Sequence, residues 1–497
     1  MSDAETNPQA AQAGETIEVS EFDQLLTKEF KPKSDRQAES IKAAVKTLAE
    51  QAISQATVIS DDAIESIEAM IAEIDSKLTE QLNAILHHPD FQKLEGTWRG
   101  LNHLVSNTET DESLKIRVMN ISKKDVGKTM KKFSGAKWDQ SPLFKRLYED
   151  EFGMPGGEPY GVLVGDYEFD HSPGDVKILQ GMAQIAGAAH APFISAAGPA
   201  LLNMESWGEL QKPRDITKIF SSPEYAPWRS LRESDDSKYI GLTMPRFLSR
   251  LPYGAKTEPV EEFSFEEETD GTDHTRYCWS NAAYAMATNI GAAFKEFGWC
   301  TRIRGVESGG MVSNLPCHTF PTDDGGQDMK CPTEIGITDR REAELSKNGL
   351  LPLCHWKNSD YAVFIGAQSL NKPVEFDNPD ATASANLSAR MPYMFATCRF
   401  AHFLKCMVRD KIGSFKERAD MERWLNDWIV QYVAANPEMA SEEEKARRPL
   451  AEASVEVKEV EGNPGYYSSV FHLRPHYQLE GLTISLRLVS KLPSAGG

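Results

Sequence analysis

The stretch from His87 to Val105, HHPDFQKLEGTWRGLNHLV, constrains the fold more than any other part of this chain. Apolar side chains recur there at helical spacing, at positions Phe91, Leu94, Trp98, Leu101 and Leu104. Such spacing places side chains on one face of a helix, and an apolar face usually packs into a core. The segment therefore predicts a buried helix, and it contains no obvious catalytic pair.

Composition narrows the class of protein. The 497 residues carry a formal charge of −20, and an acidic chain repels phosphate backbones, so we expect no nucleic-acid partner. The N-terminus lacks the basic and apolar regions of a secretory signal, and no apolar run reaches the length of a membrane span. Seven cysteines, an odd number without a C-x-x-C pair, indicate reduced thiols. We predict a cytoplasmic protein with no membrane span.

Residues 1–58 are predicted to form a flexible arm that contains a short strand and a helix. Ile17 and Val19 alternate with polar residues ahead of Phe22, which is typical of a strand. A lone strand at a chain end must pair with something, because its backbone groups need partners. The pattern alone leaves two options open, which are the edge of its own sheet and donation to another subunit.

Residues 59–375 are predicted as the main domain, with mixed α/β structure. A strand within 160–165, a helix over 175–190 and a strand from 192 predict a crossover unit. Leu114–Val118 alternates like a further strand. Residues 221–275 are rich in Pro, Glu and Asp, which indicates an irregular or inserted region.

Residues 376–497 are predicted as a C-terminal domain. Two helices, 387–412 and 415–434, are joined near Gly413 and carry a concentration of basic residues. Three alternating runs follow and predict a half-buried antiparallel sheet. The first run includes Val455 and Val457. The apolar face of the last run consists of Leu482, Ile484, Leu486 and Leu488.

The sequence motifs that could support catalysis, nucleotide binding or metal binding are incomplete. Gly127-Lys128-Thr129 resembles the end of a phosphate-binding loop, but Ser122 occupies the position of the required first glycine. Cys398, His402 and Cys406 share a helix face, yet structural zinc needs four ligands. We therefore predict no enzyme activity, no cofactor and no metal, and we keep zinc or nucleotide binding as the alternative.

The segment 87–105 resembles a signature of the large sheath subunit of type VI secretion systems, the TssC/VipB/EvpB family. The resemblance rests on Phe91, Leu94, Glu95, Trp98, Arg99 and Gly100. Residues 333–370 resemble, more loosely, a motif of contractile phage tail sheaths. The resemblance implies a contractile tail-sheath-like core with an N-terminal arm of helix and strand and a C-terminal antiparallel sheet. A phage-like or extracellular contractile injection sheath is the alternative.

The same resemblance implies the partners. They are a small sheath subunit (TssB/VipA-like), further copies of this chain, a hexameric inner-tube protein (Hcp-like), a baseplate and an AAA+ unfoldase (ClpV-like) for disassembly. It also favours donation of the arm strand to a neighbour. Predicted pairing residues are Ile17, Val19, Phe22, Val455, Val457, Leu482, Ile484, Leu486 and Leu488. Candidate contacts to the inner tube are Arg399, Lys405, Arg409 and Lys411.

Overall fold

The structure, a computed structural model, describes residues 63–212, 215–322, 324–413, 417–460 and 467–478, with isolated positions between 36 and 47. These residues fall into two compact units. The first contains residues 63–91 and 252–270, and the second contains residues 92–251 and 271–478. Helices and strands are mixed along the chain, so the predicted fold class is confirmed.

The α-helices of the described residues are, in chain order, α1 (Ala63–Leu86), α2 (Pro89–Ser106), α3 (Lys123–Lys132), α4 (Pro142–Phe144), α5 (Pro173–Ala189), α6 (Ile216–Ser221), α7 (Ala226–Glu233), α8 (Ala282–Phe297), α9 (Asp339–Lys347), α10 (Pro379–Ser388), α11 (Met391–Lys411), α12 (Arg418–Ile429) and α13 (Glu442–Arg447). Helix α4 continues directly into a π-helical segment, Lys145–Gly153. Short 3-10 turns occur at Gly135–Gln140, Pro199–Leu202, Trp207–Gln211, Pro223–Tyr225, Asp235–Tyr239, His274–Arg276 and Val430–Tyr432.

The strands of the described residues are β1 (Leu163–Phe169), β2 (Phe193–Ala197), β3 (Ile240–Met244), β4 (Phe247–Leu248), β5 (Trp279–Ser280), β6 (Met311–Val312), β7 (Thr319–Pro321), β8 (Gln327–Met329), β9 (Leu351–His355), β10 (Ala362–Phe364), β11 (Leu450–Glu459) and β12 (Tyr467–Pro475). Six of them form one sheet in the order β1-β2-β3-β9-β10-β6. The pairs from β1 to β9 are parallel, and the two pairs that involve β10 are antiparallel.

The predicted crossover unit is present. Strands β1 and β2 run parallel, and α5 connects them. Ser172 caps α5 by accepting from the Asp175 amide, and His190 ends the helix in the left-handed region. The physical basis is the one expected from the sequence, because parallel neighbours need a crossover longer than a turn.

Both faces of the sheet are covered. On β2, Phe193 belongs to the apolar cluster that includes α5, whereas Ile194 belongs to the cluster that includes α8. Successive strand residues point to opposite faces, so the sheet lies between two helical layers. Buried hydroxyls in the middle are satisfied by the sheet itself. Ser195 Oγ donates to the Gly165 carbonyl at 2.7 Å, and Thr243 Oγ1 donates to the Ser195 carbonyl at 3.0 Å.

A separate apolar cluster supports the C-terminal elements of the second unit. Its buried members come from α11, α12 and β11, with Trp299 among them: Trp299, Phe400, Leu425, Ile429, Leu450, Val455 and Val457. Aromatic rings dominate its interior, and the Trp299 and Phe400 centroids lie 4.5 Å apart. This cluster holds the hairpin of β11 and β12 against α12.

In the first unit, a polar side chain joins α1 to the segment 252–270. The Asn83 side chain is buried, donates to the Glu266 carbonyl at 3.1 Å, and accepts from the Glu268 amide at 2.8 Å. A buried amide that makes both bonds fixes the two segments in one register. The apolar stripe of α1 is more open, since Ile71 and Ile85 are exposed.

The prediction of an irregular or inserted region at 221–275 is wrong for the first half of this range. Helix α7 and strand β3 lie within it, and β3 is fully buried between β2 and β9. Pro, Glu and Asp are densest in residues 252–270, where the described chain has no named helix or strand. Composition averaged over the whole window therefore hid a short central strand.

Two further predictions are corrected. Leu114–Val118 is not part of a sheet. Its alternation is real, because Ile116 packs on the Leu104 cluster while Arg117 pairs with Glu158 at 2.9 Å. However, no strand among the described residues pairs with this segment. The predicted helix 387–412 is two helices, α10 and α11, which are separated at Ala389 and Arg390. Pro392 lies in the first turn of α11.

Trp228 provides a test of the packing on the α5 side of the sheet. Its side chain is fully buried, and its indole N–H has no hydrogen-bond partner among the described residues. We expect Trp228→Ala to lower the free energy of unfolding by about 3–5 kcal/mol through a cavity. Trp228→Phe should lose about 1–2 kcal/mol, because it removes volume without breaking a bond. Denaturant unfolding of the two variants checks this order, and equal losses would contradict it.

Candidate assembly surfaces

Helix α2 lies unusually close to the chain beneath it. The face formed by Gly96, Gly100 and Leu104 is buried. A Cβ at Gly96 would overlap the Trp279 carbonyl, and a Cβ at Gly100 would overlap the Tyr284 ring. Ser280 Oγ also donates to the Gly96 carbonyl at 2.7 Å. The two glycines therefore permit an approach that a larger residue would prevent.

The opposite face of α2 is apolar and open. Leu94 is 56% exposed, Trp98 63% and Val105 49%, and Leu101 between them is only partly buried. We call these four residues the α2 stripe. Their spacing of four, three and four residues keeps them in one line along the helix. The prediction of a buried apolar face is therefore wrong for Leu94 and Trp98, because the glycine face is the one that packs inward.

An ion-pair network fixes the rotation of α2 about its axis. Glu95 Oε1 accepts from Arg250 Nε at 2.6 Å and from Arg99 Nε at 2.7 Å. Arg250 Nη2 donates to Glu95 Oε2 at 3.3 Å, and the Arg250 side chain is only 5% exposed. Burial raises the pKa of Glu95, but the bonds and charges of Arg250 and Arg99 outweigh it, so the pKa lies below its ordinary value. Of the signature residues, Glu95, Arg99 and Gly100 position the helix.

The remaining signature residues are on the surface. Leu94 and Trp98 belong to the α2 stripe, and Phe91, the last residue of the first unit, is 37% exposed. Exposed apolar groups of this size do not stabilise the folded chain by burial within it. The signature thus combines residues that orient a helix with residues that this orientation leaves open.

In the described residues, the C-terminal hairpin has one edge that is bonded to α12 and one edge that is open. On β11, the Val455 amide donates to Asn426 Oδ1 and its carbonyl accepts from Asn426 Nδ2, both at 2.9 Å. The Val457 amide donates to Glu422 Oε2 at 3.1 Å, and its carbonyl accepts from Arg418 at 3.1 Å. Side chains of α12 therefore occupy the outer edge of β11. In the described residues, β12 pairs only with β11.

The predicted strand-pairing residues are placed as follows. Val455 and Val457 are buried in the C-terminal cluster, and their backbone groups are bonded to α12, so they are not positioned to receive a strand. The arm residues Ile17, Val19 and Phe22 lie outside the described residues, as do Leu482, Ile484, Leu486 and Leu488. The bonds from α12 to β11 have no direct signature in the sequence, although residues 418, 422 and 426 share helical spacing.

The basic residues of α11 face neighbouring aromatic rings. Lys405 Nζ lies 3.6 Å from the Phe152 ring centroid and donates to Tyr148 Oη at 3.2 Å. Arg409 donates to the Phe152 carbonyl at 3.3 Å. The remaining two predicted tube contacts, Arg399 and Lys411, lie over aromatic rings as well. These cation–π contacts stabilise the fold of the second unit. Contact with an inner tube stays a prediction.

The incomplete chemical motifs do not converge on a site. Lys128 lies within α3 and pairs with Asp125 at 2.9 Å. His402 Nε2 bonds the Ala189 carbonyl at 2.9 Å, while Cys398 is buried and Cys406 exposed. Among the described residues, no group of three or more His, Cys, Asp or Glu side chains is arranged to hold a metal. Within the same residues, no helix has both the length and the apolar character needed to cross a membrane.

Glu95→Ala tests the network that orients α2. Removing the carboxylate that bonds the buried Arg250 guanidinium should cost about 3 kcal/mol of unfolding free energy. Because the pKa of folded Glu95 is lowered, its contribution is present above the ordinary value of 4.5 and is lost as the pH falls through the folded pKa. Denaturant unfolding between pH 7 and pH 3 measures both effects. In Glu95→Gln, the part of the pH dependence that comes from this group should disappear.

The control is Asp150→Ala, which removes an exposed pair with Arg146 at 3.9 Å and should change stability by about 0.5 kcal/mol. A loss at Glu95 no larger than this control would contradict the role of the network.

Comparison with known proteins identifies the family. The family model described as EvpB/VC_A0108 tail sheath N-terminal domain matches residues 68–371, and the tail sheath gpW/gp25-like domain of the same family matches residues 380–492. The type VI secretion system sheath protein TssC1 of Pseudomonas aeruginosa is 68% identical over 480 residues, covering 97% of this chain and 96% of that protein.

Two solved structures are also similar. The first, the sixfold-symmetrised cryo-EM structure of the anti-feeding prophage baseplate, has 10% identity and a TM-score of 0.37, covering 76% of this chain and 84% of that chain. The second, the contracted helical sheath of the same particle, has 12% identity and a TM-score of 0.25, covering 62% and 74%. These scores are too low to support an argument. The sequence matches carry the assignment: the chain belongs to the TssC/VipB/EvpB family and is a structural subunit of the type VI secretion contractile sheath.

Proposed function

We propose that this chain pairs with a small sheath subunit through the α2 stripe, and that the pairs polymerise helically around an inner tube and contract to propel it. The observation that carries the proposal is the apolar line of the α2 stripe, in which Leu94, Trp98 and Val105 are exposed. A partner of matching shape is needed to remove these side chains from water. An apolar face of a helix from the small subunit supplies that shape.

The energetics favour a permanent partner over a transient one. Full burial of a side chain such as Leu or Trp stabilises by about 1.5–3 kcal/mol relative to exposure. Three exposed side chains in one line can therefore contribute several kcal/mol to an interface, and they are an aggregation liability while open. A subunit that covers the stripe from synthesis onward removes this liability. For this reason the small subunit, and not a later contact between sheath layers, is the proposed occupant.

Growth of the polymer is proposed to use the open edge of β12. An extended strand can add there through main-chain hydrogen bonds, as strands add to other exposed sheet edges. The proposed donor is the arm strand around Ile17–Phe22 of a neighbouring copy. Flexible arms that carry strands would keep neighbours linked while the bodies rotate and slide, since ladder bonds depend on the strands alone.

The other partners follow from family membership. We propose an inner tube of hexameric rings, a baseplate on which the sheath starts, and an AAA+ unfoldase that dismantles the contracted sheath. Arg399, Lys405, Arg409 and Lys411 remain the proposed tube contacts. Of these, Lys411 lies at the end of α11 beside Gly413, where the least rearrangement is needed to present it. The chain itself is proposed to be cytoplasmic and to have no enzymatic activity.

Charge substitution in the α2 stripe tests the small-subunit site. We expect Trp98→Glu or Leu94→Glu to reduce the small subunit that copurifies with a tagged large subunit at least tenfold, because an interface that buries this position would also bury an unpaired carboxylate. Met439→Glu is the matched control, since Met439 is 83% exposed outside the stripe. Thermal unfolding should be unchanged in all three variants.

Undiminished copurification of both stripe variants would refute the proposed site. Assembly of hollow sheaths from the large subunit alone would refute the need for a small subunit, and would favour a phage-like or extracellular contractile sheath instead.

The open edge of β12 is tested at Ser469. It pairs in register with Val457, whose backbone groups point away from β12. In an antiparallel pair of this kind, the backbone groups of each residue point away from the other strand. The Ser469 amide therefore points to the open edge of β12. Ser469→Pro removes this donor without removing a bond to β11. We expect it, like deletion of residues 1–22, to abolish long sheaths in negative-stain images while the complex with the small subunit persists.

Ser469→Ala is the control, because it keeps the amide and should form sheaths of normal length. Normal sheath length in Ser469→Pro would exclude this edge as the acceptor, and normal length in the deletion would exclude the arm as the donor.

A further inference from the structure

The register of a hairpin in the second unit, when it is continued past the end of the strands, sets two cysteines opposite each other. Strands β7 and β8 pair Thr319 with Met329, and the Lys330 amide extends the ladder by donating to the His318 carbonyl at 2.7 Å. One step further, the same register sets Cys317 opposite Cys331. His318 and Lys330 form the hydrogen-bonded pair, so the next pair is of the non-hydrogen-bonded kind, with Cα atoms about 4.5 Å apart. That separation lies within the range that disulfides span.

A histidine from the neighbouring hairpin of β9 and β10 borders both thiols. His355 Nε2 donates to the Ser359 carbonyl at 3.0 Å, and Cys317 Sγ donates to the same carbonyl at 3.8 Å. With its proton held on Nε2 by the Ser359 carbonyl, the His355 ring has Nδ1 as its proton acceptor, and its interaction with Cys331 lowers the pKa of that thiol. Thr333 Oγ1 lies 3.2 Å from Cys331 Sγ on the other side. Cys317, Cys331 and His355 are partly buried, and Thr333 is fully buried.

The pKa of Cys331 is shifted in the opposite direction from that of Cys317, which burial raises, and from those of the more buried cysteines. Burial raises the pKa of Cys331, but hydrogen bonds from His355 and Thr333 outweigh it and the net pKa is lowered. Burial lowers the pKa of His355, and its bonds to Cys331 and Ser359 raise it to a net increase. By contrast, burial raises the pKa of Cys278, Cys300, Cys354 and Cys398 to about 12. A thiolate paired with an imidazolium is the reactive form of cysteine.

We propose that Cys331 is a peroxide-reactive thiol and that Cys317 is its resolving thiol, so that the chain forms an intramolecular disulfide. In the first step the Cys331 sulfur attacks one oxygen of hydrogen peroxide, the O–O bond breaks, and hydroxide leaves. Sulfur is oxidised to a sulfenic acid and peroxide is reduced. In the second step the Cys317 sulfur attacks the sulfenic sulfur and loses its proton, and the hydroxyl group leaves as water. Thiol reductants reverse the product.

The sequence makes the product easy to identify. Trypsin cleaves after Arg304, Lys330 and Arg340, which places Cys317 in peptide 305–330 and Cys331 in peptide 331–340, with one cysteine in each. The full chain, purified with its small subunit, is treated with hydrogen peroxide, and free thiols are then alkylated. We expect the disulfide-linked pair of these peptides to be the main oxidised cysteine product, and dithiothreitol to separate it.

Variants separate the roles. Cys317→Ser should leave Cys331 as a sulfenic acid that dimedone labels, because the resolving thiol is absent. His355→Asn should slow disulfide formation at least fivefold at pH 7, and the difference should shrink at pH 9, where thiols ionise unaided. Cys406→Ser, at the exposed cysteine of α11, is the control and should leave the linked peptide unchanged.

The proposal is overturned if Cys317 and Cys331 are still free thiols, and are therefore alkylated, after treatment with peroxide concentrations that oxidise Cys406. It is also overturned if Cys331 is oxidised without linking to Cys317 in the unsubstituted chain. Neither result bears on sheath assembly, because the proposal does not rest on the α2 stripe or the β12 edge.

Discussion

The close approach of helix α2 to the chain at Trp279–Tyr284 is the constraint on which the rest of the assembly surface depends. Gly96 and Gly100 allow the approach, and the bonds between Glu95 and the buried Arg250 hold the helix in one rotation. Side chains have fixed angular positions around a helix axis, so a helix that is held by one face also has the direction of its opposite face fixed. The apolar side chains that point away from the core are therefore a result of how tightly the small ones pack beneath.

The two proposed assembly surfaces depend on different interactions, and this difference suits a contractile polymer. An apolar helix face depends on shape and removal from water, which favours a partner held in one geometry. A sheet edge offers main-chain hydrogen bonds that any extended strand can make, largely independent of side chains. In the assembly proposed above, the first kind of contact serves the permanent repeating unit, and the second serves links that must survive a large change in subunit orientation.

The fold could be predicted from the sequence where a local residue pattern also determines how the elements pack together. The crossover unit of β1, α5 and β2 was predictable because parallel pairing demands a long connection. It failed where the role depends on distant partners. The apolar spacing of Leu94 and Trp98 could not reveal which face of α2 packs inward, since that depends on residues near 280. Likewise, the bonds from Asn426 and Glu422 to β11, and the meeting of Cys331 with His355, join residues that sequence order separates.

The side chains of α12 that close the edge of β11 have a consequence for the geometry of any array. A hairpin with two free edges can accept strands on both sides and so permits branching or stacking without limit. Here the side chains of Asn426, Glu422 and Arg418 bond the backbone groups on the outer edge of β11, so that a further strand cannot pair there. In the described residues, the hairpin thus has one edge available, and in the proposed assembly each copy would accept a strand from a single neighbour through it.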